Sequence, residues 1–228
     1  MHDFFLRANP RKSITSPMSL TLAPLVALGA YLIGSIPSGY MAGRAKGVDL
    51  RKEGSGNIGA TNALRVLGKK WGYLIFAADS FKGWLSVTLA YALANRYAPE
   101  QVTIMGIVAA FFALVGHNFP IWLGFKGGKG IATSAGIMIA LFPIWTFLVA
   151  LGVWMALFYG TRYVSVASLA AAISLPVTTG FLALAGKCDS LLVLIAVIMC
   201  ILATLRHKSN IQRLLAGTEK KFEKKRSA

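Results

Sequence analysis

Seven apolar stretches, at about residues 20–42, 71–94, 101–116, 131–142, 144–159, 163–185 and 190–205, dominate this chain of 228 residues. A helix needs about 20 apolar residues to cross a bilayer, within a range of roughly 17–25. In hydrocarbon each backbone N–H and C=O must be paired within the protein, which leaves a helical bundle as the natural fold for such runs. Only 14% of residues are charged, against about 25% in a soluble domain, and 56% are hydrophobic. This excludes disorder and a disulfide scaffold and argues against a soluble enzyme. The expected fold class is all-α, a polytopic membrane helix bundle. The first apolar stretch runs directly into GSIPSGY with no cleavage site, so it reads as an uncleaved span rather than a signal peptide. Residues 1–19 are then an N-terminal extension, with Met18 a candidate original start. Residues 20–222 form the membrane domain and 223–228 a basic C-terminal tail.

Parity sets the expected topology. The loops 43–70, 117–130 and 206–228 share Gly, Lys or Arg and small polar residues, and if they build one site they share one face. The piece 131–159 is too long for one straight span and contains Pro143; breaking it there gives seven transmembrane spans. This arrangement places eighteen Lys and Arg on the loop side and five on the other, with Lys82 inside a span. The bias predicts an outside N-terminus and a cytoplasmic C-terminus. The formal charge of +16 then reads as attraction to an anionic membrane face or anionic substrates, with no nucleic acid involved.

The three loops carry the candidate chemistry. The first reads RKEGSGNIGATNALR, residues 51–65. Its G-x-G-x-x-G match lacks the strand that a dinucleotide site requires. What remains is a glycine-rich turn that can aim N–H groups at an anion, leading into a helix near Ile58. There Thr61 and Arg65 share a face, and Ser55, Asn57 and Asn62 add further donors. The second loop, GHNFPIWLGFKGGKGIATS, places Gly127, Gly128 and Gly130 beside Lys126 and Lys129 before a helical run, again the form of an anion nest. His117, alone near a helix end, reads as structural.

The tail segment LRHKSNIQRLLAGTEKKF puts Arg206, His207, Asn210 and Arg213 on one stripe of a helix continuing out of the last span, with Gly217 as its stop. Asp79 and Lys82, three residues apart inside a span, read as a structural ion pair. Ser165 is a further donor at the inner end of a span. Three histidines and two cysteines show no metal-ligand spacing, so no metal and no cofactor are expected, and Cys188 and Cys200 lie beyond disulfide reach.

Together, GSIPSGY with GSGNIGATNALR, then GHNFPIWLGFKGGKGIATSAG, then RHKSNIQRLLAGTE resemble the three signature segments of the membrane-integral bacterial acyl-phosphate:glycerol-3-phosphate acyltransferases, over roughly residues 20–222. The resemblance implies transfer of an acyl group from acyl phosphate to the 1-hydroxyl of sn-glycerol 3-phosphate. The products would be lysophosphatidic acid and phosphate, the first step of phospholipid synthesis, at the cytoplasmic face of the bacterial inner membrane. It further implies that Ser55, Thr61, Arg65, Lys129, Ser165, His207 and Asn210 line the substrate site. The Gly127, Gly128 and Gly130 loop would cradle phosphate. The expected partners are the two substrates and membrane lipid, for a monomer.

Acyl phosphate is already activated, so direct attack by the glycerol hydroxyl is expected, with Ser55, Arg65, Lys129, His207 and Asn210 as the catalytic set. The general base is left between His207 and the phosphate of the donor itself. The competing class is a transporter or exchanger of phosphorylated metabolites. It would normally show inverted repeats and polar residues at mid-membrane rather than at one face.

Overall fold

The computed structural model describes residues 17–222, with side chains from residue 21. The extension through residue 16 and the tail 223–228 lie outside the described residues. Those residues form ten α-helices and no strand: α1 (Pro17–Ser35), α2 (Ser38–Ala45), α3 (Ala60–Val66), α4 (Lys69–Tyr97), α5 (Val102–Asn118), α6 (Ile131–Leu141), α7 (Ile144–Thr161), α8 (Val164–Leu184), α9 (Leu191–Arg206) and α10 (Lys208–Leu215).

Every apolar stretch holds a helix, and the break at Pro143 falls where the sequence places it, between α6 and α7. Proline lacks an N–H and cannot continue the α6 ladder; Pro143 instead caps the start of α7. The span count is less uniform than the sequence suggests. Thr21–Ala45, Pro99–Leu123, Ile144–Thr161 and Val164–Leu184 are long and apolar enough to cross a membrane, and α9 with α10 makes a fifth if the bent pair counts as one. The 29 residues of α4 have the length but carry Lys69, Lys70, Asp79, Lys82 and Arg96. The 11 residues of α6 rise only about 16 Å, roughly half of the hydrocarbon core.

α4 and α5 form the hub of the bundle. α1 packs on α5, α6 on α4, and α8 lies between α7 and α9. Small residues permit the closest of these contacts. A Cβ on Gly83 of α4 would run into the Thr133 carbonyl of α6, and one on Gly136 of α6 into the Ser80 carbonyl of α4. The interface is therefore reciprocal, each helix yielding one position to the other's backbone, as expected where helices associate by close packing in lipid. The largest core cluster joins Leu114, Ile137, Leu175, Ile195 and Met199 from α5, α6, α8 and α9. Leu184, Phe181 and Leu25 lie outside, 88%, 69% and 65% exposed, on a surface suited to acyl chains.

The Asp79–Lys82 pair forms as expected, at 2.8 Å and almost fully buried, and ties three elements together. The Lys82 ammonium also donates to the Ile36 carbonyl between α1 and α2 at 2.9 Å. The buried His117 ring of α5 stands 3.7 Å from the Asp79 carboxylate. These contacts tie α4 to α5 and to the connection between α1 and α2.

Candidate active site

At one end of the bundle, a cavity of about 690 Å³ is enclosed by residues from every one of the three loops. Its polar side holds Ser55, Asn57, Thr61, Arg65, Lys129, Ser165, His207, Asn210, Arg213 and Glu219, while Phe76, Trp154, Met155 and Phe158 make an apolar wall. Residues as distant in sequence as Gly54 and Phe222 thus meet at one site.

The first loop is organised from within by Asn62. Its side-chain amide, 2% exposed, donates to the carbonyls of Leu50, Glu53 and Asn57, and its oxygen accepts the Ser55 N–H at 2.8 Å. The sequence suggests a substrate-binding role for Asn62; it lines the cavity, while its amide and oxygen are bonded within the loop and hold Ser55 in place. Asn57 similarly accepts the Gly59 N–H at 2.8 Å, at the entry to α3. The helix starts at Ala60 rather than Ile58, after an extended Gly59. Thr61 and Arg65 do share the cavity-facing side, and the Arg65 guanidinium reaches the Lys220 carbonyl at 3.2 Å.

The second loop divides its glycines between two tasks. The N–H of Gly127 donates to the Asn118 carbonyl and that of Gly128 to the His117 carbonyl, both at 3.1 Å. Neither residue lines the cavity, and these N–H groups are already committed within the protein rather than turned toward the cavity. They close off the orphan carbonyls at the end of α5 instead. Gly130, Ile131 and Ala132 do line the cavity. The N–H groups of the first turn of α6 have no intrahelical partner, which makes this end favourable for an anion.

Lys129 projects between these layers and donates from its ammonium to the Asn210 oxygen. Burial pulls its pKa down to about 8, helped by the nearby Arg213, Arg206 and Arg65 charges and opposed by Glu219.

The third segment departs from a continuous helix. α9 ends at Arg206, and the chain bends by 57° before α10. The polar stripe is split at that bend. Arg206 turns to the second loop, whereas His207, Asn210 and Arg213 face the cavity. The His207 Nδ1 lies 2.7 Å from the Ala203 carbonyl, which can only accept. In the neutral ring Nδ1 therefore carries the proton and Nε2 is the acceptor.

Gly217, in the left-handed region at φ 69°, ends α10. The Thr218 N–H returns to the Arg213 carbonyl at 2.8 Å, as in a Schellman turn. That turn directs Glu219 back into the site. Its carboxylate accepts from the Ser165 hydroxyl at 2.8 Å, the Asn210 amide at 2.6 Å and Arg213 Nε at 2.7 Å. Burial pushes the Glu219 pKa up, but these hydrogen bonds outweigh it and leave the group below the usual glutamate value. Local sequence pattern gives Glu219 no role, because an acidic residue in a basic tail, where Glu223 is a second, looks like a solvated one. The clue is its place two residues beyond a helix-stopping glycine.

A basic pocket with an apolar wall, set at the end of a bundle of lipid-facing helices, defines an integral membrane protein with a site for an anionic amphiphile. The chain belongs to the glycerol-3-phosphate acyltransferase family, whose sequence profile matches residues 24–217. It is 43% identical over 194 residues to the glycerol-3-phosphate acyltransferase of Fusobacterium nucleatum, covering 85% of this chain and 94% of that one. It is 39% identical over 203 residues to the Bacillus subtilis protein of the same name, covering 89% and 98%. Its fold matches the glycerol 3-phosphate form of PlsY (YgiH), an integral membrane glycerol 3-phosphate acyltransferase, with a TM-score of 0.79 and 38% identity over 88% of this chain and 96% of that chain. The lysophosphatidic acid form of the same protein superposes with a TM-score of 0.76. The chain is thus a membrane-embedded glycerol 3-phosphate acyltransferase of phospholipid synthesis.

Proposed function

We propose that the acyl donor is acyl phosphate and that the acyl group passes directly to the 1-hydroxyl of sn-glycerol 3-phosphate. The observation that carries this reading is the division of one cavity into a cationic side and an apolar wall. Two phosphorylated head groups need several cationic or N–H donors, which Arg65, Lys129, Arg213 and the start of α6 provide. A fatty chain needs the surface made by Phe76, Trp154, Met155 and Phe158.

In the step itself, the glycerol hydroxyl oxygen attacks the acyl carbonyl carbon. The carbon–oxygen bond to phosphate then breaks, and phosphate leaves with its electron pair. The hydroxyl proton goes either to His207 Nε2 or to the donor's own phosphate. Glu219 is unsuited to take it, because its two oxygens already accept three hydrogen bonds. Lys129, Arg65 and Ser55 stabilise the negative charge that develops on the phosphate and the carbonyl oxygen. Neither cysteine lines the cavity, which argues against a cysteine acyl-enzyme.

We place the cavity at the cytoplasmic face of the bacterial inner membrane, in a monomer with its N-terminus outside. The basic loops favour that side. Counting the short α6 and the charged α4 as crossings gives seven spans.

The test is lysophosphatidic acid formation by purified protein supplied with acyl phosphate and glycerol 3-phosphate. Absence of product from folded protein, with acyl-CoA serving instead, would overturn the donor assignment. Movement of labelled glycerol 3-phosphate into sealed vesicles without chemical change would point to the transporter reading. His207→Gln with near-wild-type turnover at saturating substrate would assign the proton to the phosphate.

A further inference from the structure

The Arg206 side chain spans the gap between the end of α9 and the second loop. Its Nε donates to the Gly128 carbonyl at 3.0 Å and its Nη2 to the Gly127 carbonyl at 2.7 Å, while the guanidinium lies 5.1 Å from the Phe119 ring centroid. The opposite edge of the same dipeptide is also fixed, through the N–H bonds to Asn118 and His117. Beneath it, the His117 ring lies so close to Gly128 that a Cβ there would strike Nε2. Both glycines are thus held on every polar atom they possess. The next residue is Lys129.

We propose that Arg206 is a positioning residue for the transfer reaction: by gripping two consecutive carbonyls it fixes the strap from which Lys129 reaches the substrate. The guanidinium suits the task because it presents two parallel N–H donors in a rigid fork, which an ammonium cannot reproduce. It also explains why an arginine adjoining His207 does not point into the cavity. The clamp links the second and third loops through the backbone, whereas Lys129 and Asn210 link them through side chains. Two independent ties of this kind leave Lys129 little freedom, and a displacement of about 1 Å in a reacting geometry can cost about 100-fold in rate.

This rests on the reading of Lys129 as a substrate-facing cation, and the experiment separates the two. In a double-mutant cycle, Arg206→Gln and Lys129→Ala are made singly and together, with kcat and KM measured for glycerol 3-phosphate and the acyl donor. Arg206→Gln is expected to lower kcat/KM by about 100-fold, and the double variant to be little worse than Lys129→Ala alone. Arg206→Lys, which keeps charge but cannot hold both carbonyls, is expected to recover only part of the loss.

In parallel, the reactivity of the Lys129 amine toward an acylating reagent is followed against pH by mass spectrometry. Arg65, Arg206, Arg213, His207 and Glu219 surround this amine. Loosening the strap exposes it, and removing the Arg206 charge relieves repulsion, so its half-reaction pH moves upward, toward that of an ordinary lysine. If that shift occurs with catalysis intact, Arg206 shapes the surroundings of Lys129 but its positioning role in the transfer is overturned; loss of activity in Arg206→Gln with Lys129→Ala fully active instead removes the role of Lys129. If the losses are additive and the Lys129 profile is unmoved, the proposal is overturned. Should Arg206→Gln fail to fold, Arg206→Lys carries both measurements, and the same outcomes support or overturn the clamp.

Discussion

Asn210 gives its amide to Glu219 at 2.6 Å and thereby turns its oxygen toward Lys129. The carboxylate can only accept, so it decides which end of the Asn210 side chain faces the cation. Glu219→Gln removes that instruction and also weakens the bonds from Ser165 and Arg213. Hydrogen bonds to charged groups contribute about 1.5–3 kcal/mol, so kcat/KM should fall roughly 10- to 100-fold. Steady-state kinetics on the purified variant checks this, and Glu219→Asp should fail to restore it because the side chain is too short to hold all three donors.

Arg65 and Lys129 approach the cavity from different loops, and each is expected to meet negative charge that grows during transfer. Arg65→Ala and Lys129→Ala should each lower kcat by about 100- to 1,000-fold, the usual loss for one donor to a developing oxyanion. The matching measurement is turnover at saturating concentrations of both substrates. A change confined to KM would assign the residue to ground-state binding alone.

The pH dependence follows from the Lys129 pKa of about 8. Below that value the amine is charged and the anion site is complete. As pH rises through it, the proton leaves and kcat/KM for the phosphorylated substrates should decline. Lys129→Arg keeps its charge at higher pH, so any residual activity should lose this alkaline limb. Stability runs in the opposite direction. The folded pKa lies below that of an unfolded lysine, so the unfolded chain holds the extra proton between the two values. This group therefore favours the fold more as pH rises through that window.

The reciprocal contact between α4 and α6 makes Gly136 a sensitive position. Gly136→Ala drives a methyl into the Ser80 carbonyl. Overpacking of this kind typically costs about 1–3 kcal/mol, so the thermal midpoint in detergent should fall. Gly152→Ala in α7 is the control, since nothing lies within 4 Å of its would-be Cβ. Its midpoint should be unchanged or slightly raised.

Much of this architecture is legible in the sequence. Apolar runs locate the helices because burial in lipid leaves the backbone no other solution, and Pro143 marks a break because it lacks a donor. Ser55, Arg65, Lys129, Ser165, His207 and Asn210, drawn from separate segments of the chain, do line one cavity. The sequence is less informative about which polar groups remain available once the chain has folded. Asn62 looks like a ligand donor, but its amide hydrogens are shared among the carbonyls of its own loop. Gly127 and Gly128 look like an anion nest until the end of α5 claims their N–H groups. The bend at His207 separates Arg206 from the residues it accompanies along the chain. Each of these depends on a partner distant in sequence, so local pattern could not reveal it.

The segment after α10 is masonry rather than trailing thread. Thr218, Glu219, Lys220 and Phe222 form part of the cavity wall, and the Phe222 N–H is bonded to the Arg162 carbonyl at 2.8 Å. Cutting the chain at Gly217 would breach the chamber while sparing every helix. A purification tag spliced before Phe222 would disable an otherwise well-folded preparation, so any such handle belongs downstream of it.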